Sequence, residues 1–353
     1  MQRRGSHIDP PNRFAAQRCE DDFAHFEGHD DPPDAAPPPV VDYLPDASQS
    51  IVSENDSPDV PFRYSVNPYR GCSHGCSYCY ARNTHEYLGL SAGLDFETKI
   101  LVKRDAPRLL REFLARPGWQ GEPLTFSGAT DCYQPAEREF RLTRACLEVA
   151  LAAGQPVSLI TKNALITRDL DLLQPMAERQ LAHVFVSINS LDAELVRVME
   201  PRTSAAAARL RAVEAIAAAG VPTGVMAAPV IPGLNDSELP AVLRAAADAG
   251  AQSASFTPLR LPLTVQPVFL EWLERTQTLR KEKIEARIRA THGGRLNEAA
   301  FGARMRGSGA LAEQIRRTFQ VFAQRYGLDR PLPPLDSSQF VPPLPTSGQL
   351  RLF

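Results

Sequence analysis

From residue 62 onward, short apolar runs rich in β-branched and aromatic residues alternate with longer segments in which apolar residues recur every three or four positions. The first pattern is typical of buried strands and the second of amphipathic helices. The pattern predicts strands at 62–66, 123–127, 156–161, 183–188, 223–228 and 253–257. Between them it predicts helices around 103–115, 139–152, 168–178, 203–218 and 237–248.

Regular alternation of strand and helix indicates βα units and a parallel sheet. Gly154, Gly220 and Gly250 each end an Ala-rich helix just before a strand, as C-terminal caps do. Six strands with five intervening helices predict an α/β fold, an incomplete (β/α)6 barrel. A complete eight-unit barrel needs two further strands, and the pattern offers none.

Three regions flank this barrel, which we expect over residues 60–262. Residues 1–59 are Pro-rich and carry 13 acidic and 4 basic residues, and we expect them to be mostly disordered or extended. Residues 263–330 predict a helical C-terminal extension, with a long helix at 267–291 and a last helix at 309–326. Residues 331–353 are Pro-rich again and predict a flexible tail.

The charge distribution indicates a class of partner. Residues 274–325 hold 12 basic and 5 acidic residues, which favours a phosphate-bearing partner such as DNA or RNA, although a solvated helix face gives the same pattern. No run approaches the ~18 apolar residues of a membrane span, and no apolar stretch follows the first residues. We therefore expect a cytoplasmic protein without a membrane partner.

Three of the six cysteines lie in one short loop, Cys72, Cys76 and Cys79, with the spacing C-x3-C-x2-C. Three thiolates can hold three irons of a [4Fe–4S] cluster and leave the fourth iron open to another ligand. Gly71 and Gly75 allow the loop to fold tightly. The alternative is a structural zinc site, which needs four ligands and would recruit His74 or His85.

The sequence around these cysteines resembles the signature of the radical S-adenosylmethionine (SAM) superfamily, and more particularly the branch around spore photoproduct lyase, whose members are often labelled DNA repair photolyases. The residues that carry the resemblance are Asn67-Pro68-Tyr69-Arg70-Gly71-Cys72 and Cys79-Tyr80-Ala81-Arg82. It implies that SAM chelates the open iron. It further implies that an external donor, flavodoxin- or ferredoxin-like, reduces the cluster and that SAM then yields a 5′-deoxyadenosyl radical.

Active sites of parallel α/β barrels collect at the C-terminal ends of the strands, and polar residues at those ends are the candidates for SAM binding. After strand two, Thr130 and Asp131 offer acceptors for an ammonium group, or an ordinary helix cap. The resemblance adds an arginine after strand four, an apolar residue after strand five, and the residue beside the last cysteine. The candidate SAM contacts are Tyr78, Gly128, Thr130, Asp131, Ser187, Asn189, Arg202 and Val230.

Cys132, just past strand two, is the candidate catalytic residue. The photoproduct lyase carries a hydrogen-donating cysteine in this loop a few residues earlier, where this chain has Gly128. Cys132 either donates hydrogen or acts as a redox thiol near the substrate, or it is a buried small hydrophobic residue.

These features predict an enzyme acting on damaged nucleic acid, as a lyase in DNA repair. One alternative is radical SAM modification of RNA, protein or a small molecule. Another is a zinc-stabilised nucleic-acid-binding module without catalysis.

The chain ends in Gln349-Leu350-Arg351-Leu352-Phe353, and apolar residues at a mobile end are a candidate docking motif. The pattern resembles the pentapeptide by which bacterial repair and replication proteins bind the sliding clamp. The resemblance implies that Gln349 forms a hydrogen bond and that Leu350, Leu352 and Phe353 fill apolar pockets. The alternative is that Leu352 and Phe353 dock onto this chain's own core.

Overall fold

The structure, a computed structural model, describes residues 4–15 and 40–344. Its strands are β1 Asp42–Pro45, β2 Val52–Glu54, β3 Tyr64–Val66, β4 Tyr69–Arg70, β5 Lys99–Val102, β6 Leu124–Phe126, β7 Val157–Thr161, β8 Ala182–Ser187, β9 Thr223–Val230 and β10 Ser253–Pro258. Its α-helices are α1 Leu94–Thr98, α2 Ala106–Leu114, α3 Glu137–Phe140, α4 Leu142–Ala152, α5 Leu170–Glu178, α6 Ala193–Met199, α7 Ala206–Ala218, α8 Leu239–Asp248, α9 Val265–Thr276, α10 Lys281–Ala290, α11 Ala303–Arg306 and α12 Gly309–Arg325.

Six parallel strands form the main sheet in the order β10-β9-β8-β7-β6-β3, and β2 adds an antiparallel edge beside β3. These are the six strands that the sequence predicts, with ends that differ by a few residues. Within the described residues β10 and β3 do not pair, so the barrel stays incomplete as predicted. A smaller sheet, β1-β5-β4, lies outside this barrel.

Helix α12 acts as the sixth helix of the barrel. It packs against α8, buries Ile315 and Ala323 in the main core, and brings the Phe319 ring to 4.7 Å from that of Phe256 in β10. The region predicted as an extension therefore contributes its last helix to the barrel core.

The prediction of one long helix at 267–291 is wrong in one respect, because the structure has two helices in this region, α9 and α10. Trp272 and Ile284 are both fully buried in the same apolar cluster. In one continuous helix, twelve residues of separation would place them about 120° apart around the axis. The break at residues 277–280 turns the second helix so that both side chains reach the same core.

The predicted disorder of residues 1–59 is corrected for the part that the structure describes. β1 pairs with β5, and β2 pairs with β3. Residues 4–13 lie against the cysteine loop through contacts described below. Pro-rich, acidic composition favours disorder only when a segment has no partner to pair with, and here the barrel supplies partners.

The flexible tail predicted from residue 331 is likewise corrected as far as residue 344. Asp336 N–H donates to Gln180 O (2.9 Å), and Val341 N–H donates to Ala153 O (2.8 Å). Phe340 packs over Gly121. The acceptors precede β8 and β7, so the segment crosses the end of the barrel opposite the C-terminal strand ends. The predicted clamp motif, residues 349–353, lies outside the described residues and stays a prediction. In the described part of the chain, every helix is too short or too polar to cross a bilayer.

Candidate active site

The cysteine loop begins where β4 ends, and two glycines give it its shape. Gly71 and Gly75 adopt φ of 77° and 67°, values that residues with a side chain adopt only at a cost. Cys72 N–H donates to Phe96 O (2.9 Å) and Ser77 N–H donates to Met199 O (3.0 Å). The loop is therefore held from two sides, by α1 and by the end of α6.

Gln134 ties the loop to the segment after β6. Its Oε1 accepts from Ser73 N–H (3.0 Å) and its Nε2 donates to Gly71 O (3.0 Å). The side chain is fully buried, so both amide ends are used within the protein. Sequence reasoning did not give Gln134 a role, because a single glutamine in a loop carries no pattern.

Arg82, also fully buried, holds the second half of the loop. Its guanidinium donates to Cys76 O (3.1 and 2.9 Å) and to the carbonyls of Ala92 and Gly93 (3.1 and 2.9 Å). It pairs with Glu97 at 2.5 Å. The guanidinium of Arg82 thus donates to several backbone carbonyls and to one carboxylate at the same time, which only the five N–H groups of an arginine allow.

Residues 4–13, which we name the N-terminal strap, cover this arrangement. Gly5 N–H and Ser6 N–H donate to the two oxygens of Glu97 (3.2 and 2.8 Å). Gly5 packs so tightly that a Cβ there would lie 1.7 Å from Gly75 O. At the far end, Arg13 pairs with the buried Glu86 at 2.8 Å. The strap therefore fixes the outer side of the cysteine loop.

We expect Gly5→Ala to displace the strap, because its methyl group would overlap the Gly75 carbonyl. The free energy of unfolding should fall by about 1–3 kcal/mol, as for other overpacked sites, and the reconstituted iron–sulfur chromophore should bleach faster in air. The control is Phe14→Ala, at an exposed position just beyond the strap. Equal bleaching rates for Gly5→Ala and the wild type would show that the strap does not shield the loop.

Neither histidine near the cysteines belongs to a metal-binding cluster among the described residues. His74 contacts Asp131 (3.4 Å) and Asn163 (3.2 Å), and His85 Nε2 contacts Lys99 O (2.9 Å). In residues 4–15 and 40–344 no three His, Cys, Asp or Glu side chains come close enough together to hold a single metal ion. A zinc site needs such convergence, whereas a [4Fe–4S] cluster takes each thiolate on a different iron. The residues present fit the cluster.

Asp131 and His74 form a buried pair under the loop. Asp131 accepts from Thr161 Oγ1 (2.7 Å), Tyr133 N–H (2.9 Å) and Lys162 N–H (2.8 Å). Burial alone would raise the pKa of Asp131, but His74 and these donors outweigh it and lower that pKa to about 2. The carboxylate is thus already supplied with donors by the protein, and its predicted contact with the SAM amino group stays a prediction.

Thr130 is also committed within the fold. Its hydroxyl donates to Tyr69 O (3.0 Å) and its N–H donates to Asn67 Oδ1 (3.2 Å). Gly128 lies at the strand end with φ of 127°, and its carbonyl accepts from the Tyr80 hydroxyl. Through these contacts, Thr130 and Gly128 hold the segment after β6 against residues on either side of the cysteines. A role of Thr130 or Gly128 in binding SAM stays a prediction.

Several buried polar atoms near the loop have no hydrogen-bond partner in the described chain: Ser73 Oγ, Ser77 Oγ, Asn189 Oδ1 and Arg202 Nη1. The backbone N–H of Arg202 donates to His74 O (3.2 Å), and Asn189 Nδ2 lies 3.4 Å from the Tyr78 hydroxyl. Buried polar groups are rarely left unpaired. Unpaired atoms of Asn189 and Arg202, at two predicted SAM positions, therefore suit a polar ligand such as SAM.

Lys162, to which the sequence analysis assigned no role, adds a positive charge near these unpaired polar atoms. Its ammonium lies 5.9 Å from the centre of the Tyr78 ring. Burial alone would lower the pKa of Lys162, but Cys76, Glu200 and Asp131 outweigh it and raise that pKa. The charged ammonium is a second candidate, beside Arg202, for a ligand carboxylate.

Tyr78 is buried, and its hydroxyl donates to Glu200, which in turn pairs with Arg209. Arg209 Nη1 also donates to Ser187 O (2.9 Å), so the predicted position Ser187 is joined to the network through its backbone. Sequence reasoning missed Glu200 and Arg209. The signal was present, since Arg209 shares a helical face with Ala212, Val213 and Ile216.

Two other predicted residues, Val230 and Cys132, have buried side chains. Val230 is buried at the end of β9, with its carbonyl accepting from Leu259 N–H (2.9 Å). Cys132 has no exposed surface and lies in the main apolar core, and burial raises the pKa of its thiol. A hydrogen donor must reach its substrate, so this burial favours the core interpretation of Cys132, and its catalytic role stays a prediction.

Comparisons with known proteins agree with this geometry. The family model described as the radical SAM superfamily matches residues 66–246. The chain is 42% identical to an uncharacterized protein of Mycobacterium tuberculosis over 61% of this chain and 64% of that protein. It is 27% identical to one of Methanocaldococcus jannaschii over 50% of this chain and 63% of that protein. The chain therefore spans slightly less than two thirds of these relatives.

Among solved structures, the fold is similar to that of spore photoproduct lyase complexed with dinucleoside spore photoproduct. The TM-score is 0.60 at 16% identity, covering 80% of this chain and 79% of that one. A double mutant of that lyase with bound AdoMet and the same dinucleoside gives a TM-score of 0.56 at 16% identity, with 80% and 78% covered. At this identity the likeness shows the fold.

Proposed function

This chain belongs to the radical SAM superfamily, and we propose that it acts on damaged nucleic acid in a lyase-type repair reaction. The superfamily uses a [4Fe–4S] cluster and SAM, and together these cofactors supply one-electron chemistry that removes a hydrogen atom from a substrate. The protein must therefore hold the cluster, orient SAM, and keep water and oxygen away.

The chain's own residues divide these tasks. Cys72, Cys76 and Cys79 would hold the cluster. The guanidinium of Arg202 and the ammonium of Lys162 would bind the SAM carboxylate, since opposite charges in a buried site attract strongly. Asn189 Oδ1 would accept from a SAM hydroxyl or amino group. The buried loop, covered outside by the N-terminal strap, excludes bulk water.

The observation that most supports a nucleic-acid substrate is the set of exposed aromatic and arginine side chains at the rim of the site. Tyr80, next to Cys79, leaves half of its side chain exposed (52%) while its hydroxyl is fixed on Gly128 O. Phe301 is exposed as well, with the Arg304 guanidinium 4.4 Å from its ring centre. Exposed aromatic rings with neighbouring arginines suit stacked bases and phosphates. The similar fold of a lyase that binds a dinucleoside photoproduct supports the same class.

The test is an anaerobic assay of 5′-deoxyadenosine formation with reduced, reconstituted protein. We expect ultraviolet-irradiated DNA to raise the rate at least several-fold over unirradiated DNA of the same sequence, with protein lacking Cys79 as the blank. Equal rates with both DNAs would contradict repair. They would favour the alternative of radical SAM modification of RNA, protein or a small molecule.

An electron donor of the flavodoxin or ferredoxin type and a cytoplasmic location belong to the same proposal, since an oxygen-sensitive cluster works best in a reducing compartment. The zinc-stabilised module is not favoured, because no three candidate ligands in the described part of the chain converge on one metal position.

A further inference from the structure

Arg260 follows the last barrel strand, β10, and lies at the rim of the site. Its Nε is buried and has no hydrogen-bond partner among the described residues. The contact made by its Nη1 is with Met305 Sδ, at 3.4 Å, and a thioether is a weak acceptor. The residue is half-buried, and a guanidinium nitrogen taken out of water without a good acceptor is costly, so this side chain is poised for an anion.

The charges around Arg260 are unbalanced. The neighbouring carboxylate is that of Asp59, which already accepts from Arg304 Nε (2.6 Å) and Gly302 N–H (2.7 Å). Arg304 also donates to Ser57 Oγ (2.6 Å). Burial and the nearby Arg304 lower the pKa of Arg260, while Tyr80 and Asp59 oppose that effect. Two guanidinium groups therefore share one carboxylate, and an anion would restore the balance.

A cavity of about 420 Å³ lies next to this position and is lined by Phe256, Met305, Arg306 and Arg316. Met305 joins it to Arg260. Arg316 pairs with Glu313, but Arg306 makes no side-chain hydrogen bond or ion pair within the described residues. The cleft thus combines apolar walls with a free cation.

Six of the twelve basic residues at positions 274–325 form ion pairs with carboxylates in the described part of the chain. Arg275 pairs with Glu271 (2.7 Å) and Arg289 with Glu285 (2.7 Å), each one turn away on its own helix. Lys281 pairs with Glu274. The sequence predicted phosphate contacts across this whole region. Arg306, which has no ion pair among the described residues and lines the cavity, and Arg260, which reaches the cavity through Met305, are the candidates because of their position.

We propose that Arg260 and Arg306 form a phosphate subsite, in which Arg260 binds a backbone phosphate of the nucleic acid at the rim and Arg306 binds the next phosphate along the cleft. The proposal rests on the proposed function, because it names how the same substrate is held. It places the phosphates beside the exposed Tyr80 ring, near the third cysteine of the loop. Backbone phosphates bind any sequence, so this subsite contributes affinity and register and leaves base identity to other residues.

The experiment measures binding of a fluorescein-labelled single-stranded oligonucleotide by anisotropy, at several salt concentrations, to the reconstituted full chain. For Arg260→Gln we expect about tenfold weaker binding and a salt slope smaller by about one. Arg260→Lys should recover part of the affinity, since it restores the charge without the fork of donors. The matched control is Arg289→Gln, whose side chain is already paired with Glu285, and which should bind like the wild type.

Thermal unfolding without nucleic acid separates binding from folding. Removing a half-buried guanidinium whose Nε has no partner among the described residues should leave the melting temperature of Arg260→Gln equal to or above that of the wild type. A lower melting temperature with unchanged oligonucleotide affinity would overturn the subsite and make Arg260 structural.

The two proposals fail differently. If Arg260→Gln binds as tightly as wild type while irradiated DNA still stimulates 5′-deoxyadenosine formation, the subsite is wrong and the repair function stands. If Arg260→Gln weakens binding but irradiation makes no difference to turnover, the subsite stands and the repair function is wrong. If wild-type protein does not bind the oligonucleotide at low salt, both are wrong.

Discussion

Replacing Cys79 by alanine is expected to abolish the brown iron–sulfur chromophore and the formation of 5′-deoxyadenosine together. Each of Cys72, Cys76 and Cys79 would hold a different iron, and a [4Fe–4S] cluster is normally held by cysteine thiolates. Burial raises the pKa of the Cys76 and Cys79 thiols, so the thiolates form readily only when iron is present to bind them. The measurement is iron and sulfide content with the anaerobic assay, for each of the three single variants.

Cys146→Ala is the matched control for this set. Cys146 lies fully buried within α4, away from the loop, in the main apolar core. Its loss should cost about 1 kcal/mol of stability and leave chromophore and 5′-deoxyadenosine formation in place. A full cluster and full activity in Cys79→Ala would refute the assignment of the loop.

The barrel could be predicted because each of its strands and helices has a pattern of apolar residues within its own segment of sequence. A strand such as Val157–Thr161 is a short apolar run, and a helix such as α7 is a periodic one, so each can be recognised from its own residues. The position of the site follows from topology, since parallel strands bring their C-terminal ends to one edge. For this reason Asn189 and Arg202, far apart from Tyr78 in sequence, could be placed in one site.

The strap and the docked tail could not be predicted, because their contacts are distant in sequence. Gly5 and Ser6 bond to Glu97, over 90 residues away, and Val341 bonds to Ala153. The composition of such segments shows only that they carry little apolar surface to bury. It does not show that the folded barrel offers them hydrogen-bond partners. The same holds for Cys132. Its place in a loop after a strand suggested a catalytic role, and only the folded structure shows that its side chain is buried.

The buried pair Glu200–Arg209 was missed for a related reason. Charged residues are almost never fully buried unless they are paired, and the partner cannot be identified from one residue alone. Arg209 fills four acceptors: Glu200, Thr203 Oγ1 (2.5 Å), Ser204 O (2.7 Å) and Ser187 O (2.9 Å). Through Glu200 the same network holds the Tyr78 hydroxyl beside Asn189. It therefore links α7 and the end of α6 to the cysteine loop.

Arg209→Ala should lower the free energy of unfolding by about 3–5 kcal/mol, since it leaves the Glu200 carboxylate buried without its cation. Urea unfolding of the apoprotein measures this loss. Burial alone would raise the pKa of Glu200, but Arg209 and Lys162 outweigh it and lower that pKa. The stabilisation is therefore present above the pKa of an unfolded glutamate and is lost as the pH falls through the lower folded value. In Arg209→Ala this acid-dependent loss should shrink, because the cation that lowers the pKa is gone.

Two further variants make the result specific to the pair. Arg211→Ala removes the same side chain two residues away, on the exposed face of α7, and should change stability by no more than about 0.5 kcal/mol. Glu200→Gln/Arg209→Ala removes both charges and should be more stable than Arg209→Ala alone, because no buried carboxylate is then left unpaired. If the double variant is as unstable as the single one, the loss comes from the hydrogen bonds to Ser187 and Ser204 and not from the uncompensated charge. In either case SAM affinity should fall, since the Tyr78 hydroxyl loses the support of an intact Glu200–Arg209 pair.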